Sequence, residues 1–298
     1  MARRFPADVV VLDTDGLLHA RLSRGKHAAQ IDVAKAYRFP AGTFTSGVVS
    51  PELANEAGLA DTLRRLRMDS GRWDSVSVLL PDSWFRINLV EMPSLPERQA
   101  EALESVRWSL KRTLPLDPQS LRVTYETLSK TTTTVKLIVL SAVEKTLAAI
   151  ESVFAAAGME VVLIEPIGIN IWNAIAVRET ATANERLFVY VRDNDFTTAV
   201  FRGPQPLFIR SRNLSGERTL QQEIRLSASY LRDSLQAVSV ERCYLAGNRV
   251  GPEVQAALAA EFNAPVSAVS LGDFVERLPA EVTGMQAELT ACTGVFVG

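Results

Sequence analysis

With 298 residues, 47% of them apolar and 22% charged, the chain can bury a sizeable core and has room for about two domains. A net charge of −2 gives no global basic field for nucleic acid or an anionic membrane, and the Arg3-Arg4 pair is too small to change that. No apolar run approaches the ~18 residues of a membrane helix, and two histidines with two cysteines at no ligand spacing argue against a structural zinc.

In chain order, Phe5-Pro6-Ala7-Asp8 interrupts any secretory leader, so a cytosolic chain is expected, with Cys243 and Cys292 as buried thiols. Val9–Leu12 reads as a strand, Asp13-Thr14-Asp15-Gly16 as an acidic turn and Leu17–Leu22 as the return strand. That turn has two readings: a loop that wraps a phosphate, or a plain Asp-Gly hairpin in which Gly16 supplies a positive φ. Ile31–Phe39 is a third strand. Ser50 and Pro51 mark the start of a helix to about Met68, stopped by Gly71, and Val76–Leu80 is a buried strand ended by Pro81.

The next stretch reads as strand Trp84–Val90, a helix from the Ser94/Glu97 capping box to about Thr113, strands Val123–Leu128 and Thr133–Leu140, a helix from Ser141/Glu144 to Gly158, and strand Val161–Ile164. Ile169–Val177 is a helix. Then the opening pattern returns. Leu187–Val191 is a strand, Arg192-Asp193-Asn194-Asp195 an acidic turn, Phe196–Phe201 a strand, Gly203-Pro204 a turn and Leu207–Arg210 a strand. After Gly216 an amphipathic helix runs from Glu217 to about Leu235. Strand Cys243–Ala246 ends at Gly247-Asn248, helix Pro252–Phe262 and strand Val266–Val269 follow, and a helix from about Thr283 to Thr293 closes the pattern. Asp193 and Asp195 read as turn formers. His19 and His27 lie near a hairpin and a loop with nothing fixing a partner, so no Ser/His/Asp set and no general base can be assigned. No Gly-x-x-x-x-Gly-Lys-Ser/Thr loop is present.

The succession Phe39-Pro40-Ala41-Gly42, Gly47-Val48-Val49, Leu80-Pro81, Met92-Pro93 and Leu114-Pro115 resembles the PilM family, the cytoplasmic actin-like proteins of type IV pilus assembly. Val143-Glu144-Lys145 through Ala157-Gly158 to Glu165-Pro166, and Glu223-Ile224-Arg225-Leu226-Ser227 with Tyr230, are similar to two further family patterns. The resemblance spans about residues 9 to 297. It implies an α/β, actin-like (ribonuclease H-like) duplicated fold. Residues 1–84 with 164–183 would form a first core on which a helix at about 283–298 packs, 85–163 an inserted α+β subdomain, and 184–282 a second core. Type II secretion L proteins share this architecture.

The departures from the family concern the nucleotide. Its first phosphate loop carries Asp-Ile-Gly-Ser and its second Asp-x-Gly. Here Asp15 stands where the backbone would approach phosphate, and Arg192-Asp193-Asn194-Asp195 has no glycine. The family's adenosine Gly-Gly is Ala246-Gly247-Asn248, in which Gly247 alone matches. The helical subdomain that precedes the late helix in the family is missing, Gly216 running straight into that helix. Asp13, Gly16 and Gly247 are therefore vestigial positions, and no catalytic residue, metal or cofactor is expected. The resemblance implies a non-catalytic cytoplasmic scaffold at the inner face of the inner membrane. It would hold the N-terminal tail of a PilN-like single-pass membrane protein between the first core and the inserted subdomain, without inserting into the membrane or binding nucleic acid. The alternatives are an ATP-binding switch or ATPase using Mg²⁺, and the cytoplasmic domain of a type II secretion L-type protein.

Overall fold

A computed structural model of the chain describes residues 5–47, 50–111, 117–179, 184–193, 195–203, 205–214, 218–234, 239–279 and 285–297. From the N-terminus, β1 (Asp8–Leu12), β2 (Gly16–Arg24) and β3 (Ala29–Arg38) form an antiparallel meander. A small hairpin of β4 (Phe44–Thr45) and β5 (Glu52–Leu53) precedes α1 (Glu56–Ser70), and β6 (Ser75–Leu80) runs parallel to β1. A 3-10 turn at Asp82–Trp84 leads into β7 (Phe85–Met92), α2 (Gln99–Leu110), β8 (Leu121–Lys130), β9 (Val135–Val143), α3 (Glu144–Ala156), β10 (Glu160–Pro166) and α4 (Ile167–Arg178). The second part comprises β11 (Glu185–Arg192), β12 (Asp195–Arg202), β13 (Gln205–Asn213), α5 (Leu220–Ser234), β14 (Val240–Gly247), α6 (Pro252–Phe262), β15 (Val266–Ala268), β16 (Val275–Arg277) and α7 (Gln286–Val297).

The two main sheets repeat one plan. Their orders are β10-β6-β1-β2-β3-β16 and β13-β12-β11-β14-β15. In each, three antiparallel strands are followed by two that cross back through helices to run parallel to the first. Strands covered on both faces read as unbroken apolar runs. In β1, Val9 and Val11 point to one core and Val10 and Leu12 to another. In β11, Phe188 and Tyr190 join the core that Val9 joins, while Leu187, Val189 and Val191 pack under α5 and α6. That shared core sits between the two sheets around α4 and α7, with Trp172 stacked on Phe201 at 3.8 Å between centroids. The helices cross at touching distance: a Cβ on Gly294 would lie 1.8 Å from the Asn170 carbonyl oxygen.

The inserted part is a three-stranded antiparallel sheet, β7-β9-β8, capped on one face by α2 through Val106 and Leu110. β13 ends at Asn213 and α5 begins at Leu220, a short connection in the sequence.

Several local expectations are corrected. Pro51 starts no helix, because β4 and β5 use this stretch; α1 is capped by Asn55, whose side chain accepts from the Gly58 N–H at 2.9 Å. Ser94 is no cap, since α2 begins at Gln99. Ser141 is buried within β9, and α3 starts at Glu144 without a side-chain cap. β16, inside the 184–282 span, hydrogen-bonds to β3 at the edge of the first sheet. The expected features at Val48-Val49, Leu114-Pro115, Asn194, Pro204 and Gly216 lie outside the described residues, as do the helix ends at Thr113, Glu217, Leu235 and Thr283.

Candidate functional site

The two acidic turns open on one cleft between the sheets, and the first turn of α7 divides it. One cavity of about 300 Å³ is lined by Asp13, Asp15, Gly16, Arg192 and Glu288. A second of about 300 Å³, lined by Gly247, Asn248, Ala287 and again Glu288, lies beyond. The sequence-predicted positions Asp13 and Gly16 are thus brought together, with Gly247 on the far side of Glu288.

Arg192 bridges the two sides of the cleft. From the end of β11 its Nη1 donates to Asp13 Oδ2 at 2.6 Å and its Nε to Glu288 Oε1 at 2.9 Å. Burial works against the guanidinium charge, but Tyr190, Glu288, Asp13 and Asp193 together outweigh it and hold the pKa above the ordinary arginine value. The cation is therefore already neutralised, and an incoming phosphate would face Asp13, Asp15 and Glu288.

The β11–β12 turn takes a left-handed backbone without glycine, Asp193 having φ 38°. Asn248 buttresses it: its Oδ1 accepts from the Asp193 N–H at 3.1 Å and its Nδ2 donates to Asp193 Oδ1 at 2.8 Å. Gly247 has φ +118°, and a Cβ there would lie 1.8 Å from the Val191 carbonyl oxygen. Its lack of a side chain is required by close approach of β14 to β11. Gly16 does not carry the positive φ expected of it; a Cβ there would come within 2.4 Å of the Tyr37 carbonyl oxygen.

A pair of buried carboxylates links the halves. Asp82, fully buried, accepts from the Gly168 N–H at 2.7 Å and the Thr197 hydroxyl at 2.7 Å. Asp195 accepts from the Ser83 N–H at 3.3 Å. Burial pushes Asp82 up to about 6. Burial, with Asp82 and Asp13 nearby, pushes Asp195 up to about 7. Asp195 is thus more than a turn former: it and Thr197 grip the Asp82–Trp84 turn, where the inserted part leaves the first sheet.

His19 does have a fixed partner, contrary to expectation. It is fully buried, 2.7 Å from Asp8 Oδ1, and stacked on Trp73 at 5.0 Å. The same Asp8 oxygen accepts from Arg21 Nε at 2.9 Å, and the pair is sealed inside the first sheet. Among the described residues no group of three or more His, Cys, Asp or Glu is placed to hold a metal ion.

A separate groove of about 210 Å³ runs between the inserted sheet and the first core. Phe85, Leu140, Ala142 and Leu147 line it, and Val161–Ile164 of β10 form its open side. β10 is the outer strand of its sheet, with an irregularity between Val161 and Leu163 that leaves Val162 half exposed. Arg122 from β8 closes one end, gripped by Glu144 and Glu151 of α3.

No family model and no curated protein matches the sequence. Among solved structures, a chain of the PilM-PilN type IV pilus biogenesis complex superposes with a TM-score of 0.78 at 19% identity, covering 99% of this chain and 98% of that one. A Bacteroides thetaiotaomicron protein with an actin-like ATPase fold and unknown function matches at 0.57 and 12% identity, covering 90% and 91%. The chain has the actin-like fold. The cytoplasmic domain of EpsL, an inner membrane component of the type II secretion system of Vibrio cholerae, shares it at 0.53 and 13% identity, covering 98% and 94%. Of the positions the sequence singled out as vestigial, Asp13, Gly16 and Gly247 line the two cleft cavities, whereas Asp82, Thr197 and Glu288 were not singled out. A lone acid after a buried strand and its proline, as at Asp82, was the one visible signal. Among the described residues no helix is long and apolar enough to cross a membrane.

Proposed function

We propose that this actin-like chain is a non-catalytic cytoplasmic scaffold of a type IV pilus or related secretion assembly at the inner membrane, and that it holds the N-terminal tail of a PilN-like membrane protein. The observation that carries the reading is the groove between the inserted sheet and β10. It offers an open strand edge, an apolar floor of Phe85, Leu140 and Leu147, and a polar end at Arg122, which suits a short extended peptide. The fold shared with a chain of the PilM-PilN complex supports the choice of partner. The non-catalytic reading is supported by Arg192, whose charge is already taken up by Asp13 and Glu288, and by Asp13, Asp15 and Glu288, which would repel an anion entering the cavity they line.

Calorimetric titration of the purified chain with a synthetic PilN-type tail peptide, and separately with Mg²⁺-ATP, tests both parts. Saturable peptide binding is expected, abolished by Val162→Glu at a half-exposed position, with the thermal midpoint measured alongside to separate lost binding from lost fold. No heat is expected from millimolar ATP. Micromolar ATP binding would replace this reading with a nucleotide switch. Binding of a type II secretion partner's tail in preference to the pilus one would favour the second reading, an L-type protein, for which the shared EpsL fold is the supporting observation.

A further inference from the structure

The second sheet ends at β13, which hydrogen-bonds to β12 on one side only. Among the described residues no strand pairs with its other side. Arginines collect at its far end, where β7 and the Asp82–Trp84 turn approach it. Arg210 is occupied, bonding Glu223 at 2.7 Å and the Ser227 hydroxyl at 2.8 Å. Arg218 stands 3.5 Å from the same carboxylate. Arg212, exposed, donates to the Ser211 carbonyl at 3.3 Å, and half-buried Arg86 donates to the carbonyls of Ser83 at 3.2 Å and Phe85 at 3.1 Å. Among the described residues neither Arg212 nor Arg86 meets a carboxylate in an ion pair.

Partial burial lowers the pKa of both, and Arg210, Arg86 and Arg218 lower that of Arg212 further, with Glu223 alone opposing. Crowded guanidiniums around one carboxylate are a field that an anion relieves. Along the same strand the surface turns apolar. Phe208 meets Tyr230 at 5.2 Å between centroids, and Tyr230 and Leu226 of α5 are exposed.

We propose that this face is a second docking site, taking an extended acidic segment of a partner protein that adds to the β13 edge and sets its carboxylates on Arg212, Arg218 and Arg86. Backbone pairing supplies the affinity, and the arginines select the charge. The arginines of a strand edge and a recessed junction suit alternating side chains of one extended chain better than a flat lipid surface.

The test is fluorescence anisotropy of a labelled peptide of alternating Val and Glu, against its Val and Lys counterpart. The acidic peptide is expected to bind saturably and to weaken in about 0.5 M salt. The double variant Arg212→Gln/Arg218→Gln, at two exposed positions, leaves Arg210 on Glu223 and should weaken binding about tenfold, with tail-peptide binding in the other groove unchanged. Three outcomes overturn the proposal: no binding of the acidic peptide, equal binding of the basic one, or unchanged binding by the double variant. Capture of phosphatidylglycerol vesicles without the acidic peptide, lost in that variant, would replace it with a lipid contact.

Discussion

Replacing Arg192 with alanine should destabilise the fold far more than an ordinary surface change. An exposed ion pair is worth about 0–1 kcal/mol, whereas removing one partner of a buried pair costs about 3–5 kcal/mol because a charge is left stranded. The Arg192 side chain is 17% exposed, that of Glu288 11% and that of Asp13 25%. Asp13 can rehydrate when the guanidinium goes, and Glu288 cannot, so the lower end, about 3 kcal/mol, is the appropriate magnitude. For a chain of this size that amounts to roughly 5 °C in the thermal midpoint, read by circular dichroism near neutral pH. Adding Glu288→Gln to Arg192→Met should recover much of the loss, since the neutral amide removes the stranded charge without emptying the space. A midpoint for Arg192→Ala within about 2 °C of the parent would refute the reasoning, because it would mean that both carboxylates stay hydrated and that Arg192 is no tie across the cleft.

The carboxylates Asp82 and Asp195 predict a pH dependence. Their folded-state values, about 6 and about 7, lie above the ordinary 3.8, so the folded chain binds these protons more tightly than the unfolded one. Their contribution is fully present below the unfolded value and is lost progressively as pH rises from 3.8 through about 6 for Asp82 and about 7 for Asp195; the difference in midpoint between the parent and Asp82→Asn, followed across that span, should narrow as pH rises. Gly247→Ala should cost more than about 2 kcal/mol in urea unfolding, since its Cβ meets the Val191 carbonyl and its φ disfavours any side chain. Burial pushes the Cys243 thiol up to about 12 and that of Cys292 higher still, so a maleimide should label neither in the native chain and both in urea.

Much of the architecture was legible because it rests on local pattern. The unbroken apolar runs at β1 and β11, each followed by an acidic turn and a return strand, disclosed the repeated plan, and Pro252–Phe262 matches α6 at both ends. Two capping boxes misled. Ser141 has the spacing of a cap to Glu144, but pairing with Arg86 across β7 holds it in the sheet, and tertiary context overrides the local motif. The three-residue β16 has no period to read, and its partner β3 lies some 250 residues away in the chain, beyond any local window. The site divides the same way. Glycines and acids in turns are visible by type, so Asp13, Gly16 and Gly247 could be singled out. Asp82, Thr197 and Glu288 act through contacts between distant segments, which nothing in their neighbours announces.

The return of β16 to the first sheet, with α7 behind it, means that the chain is sewn rather than strung. The outer strand beside β3 and the helix lying against α4 come from the last quarter of the polypeptide. During synthesis the first core therefore waits, its β3 edge and the apolar face of α4 uncovered, until residues 275–297 have left the ribosome. A fragment cut between the halves should be sticky on its own, and the two pieces mixed should find each other again.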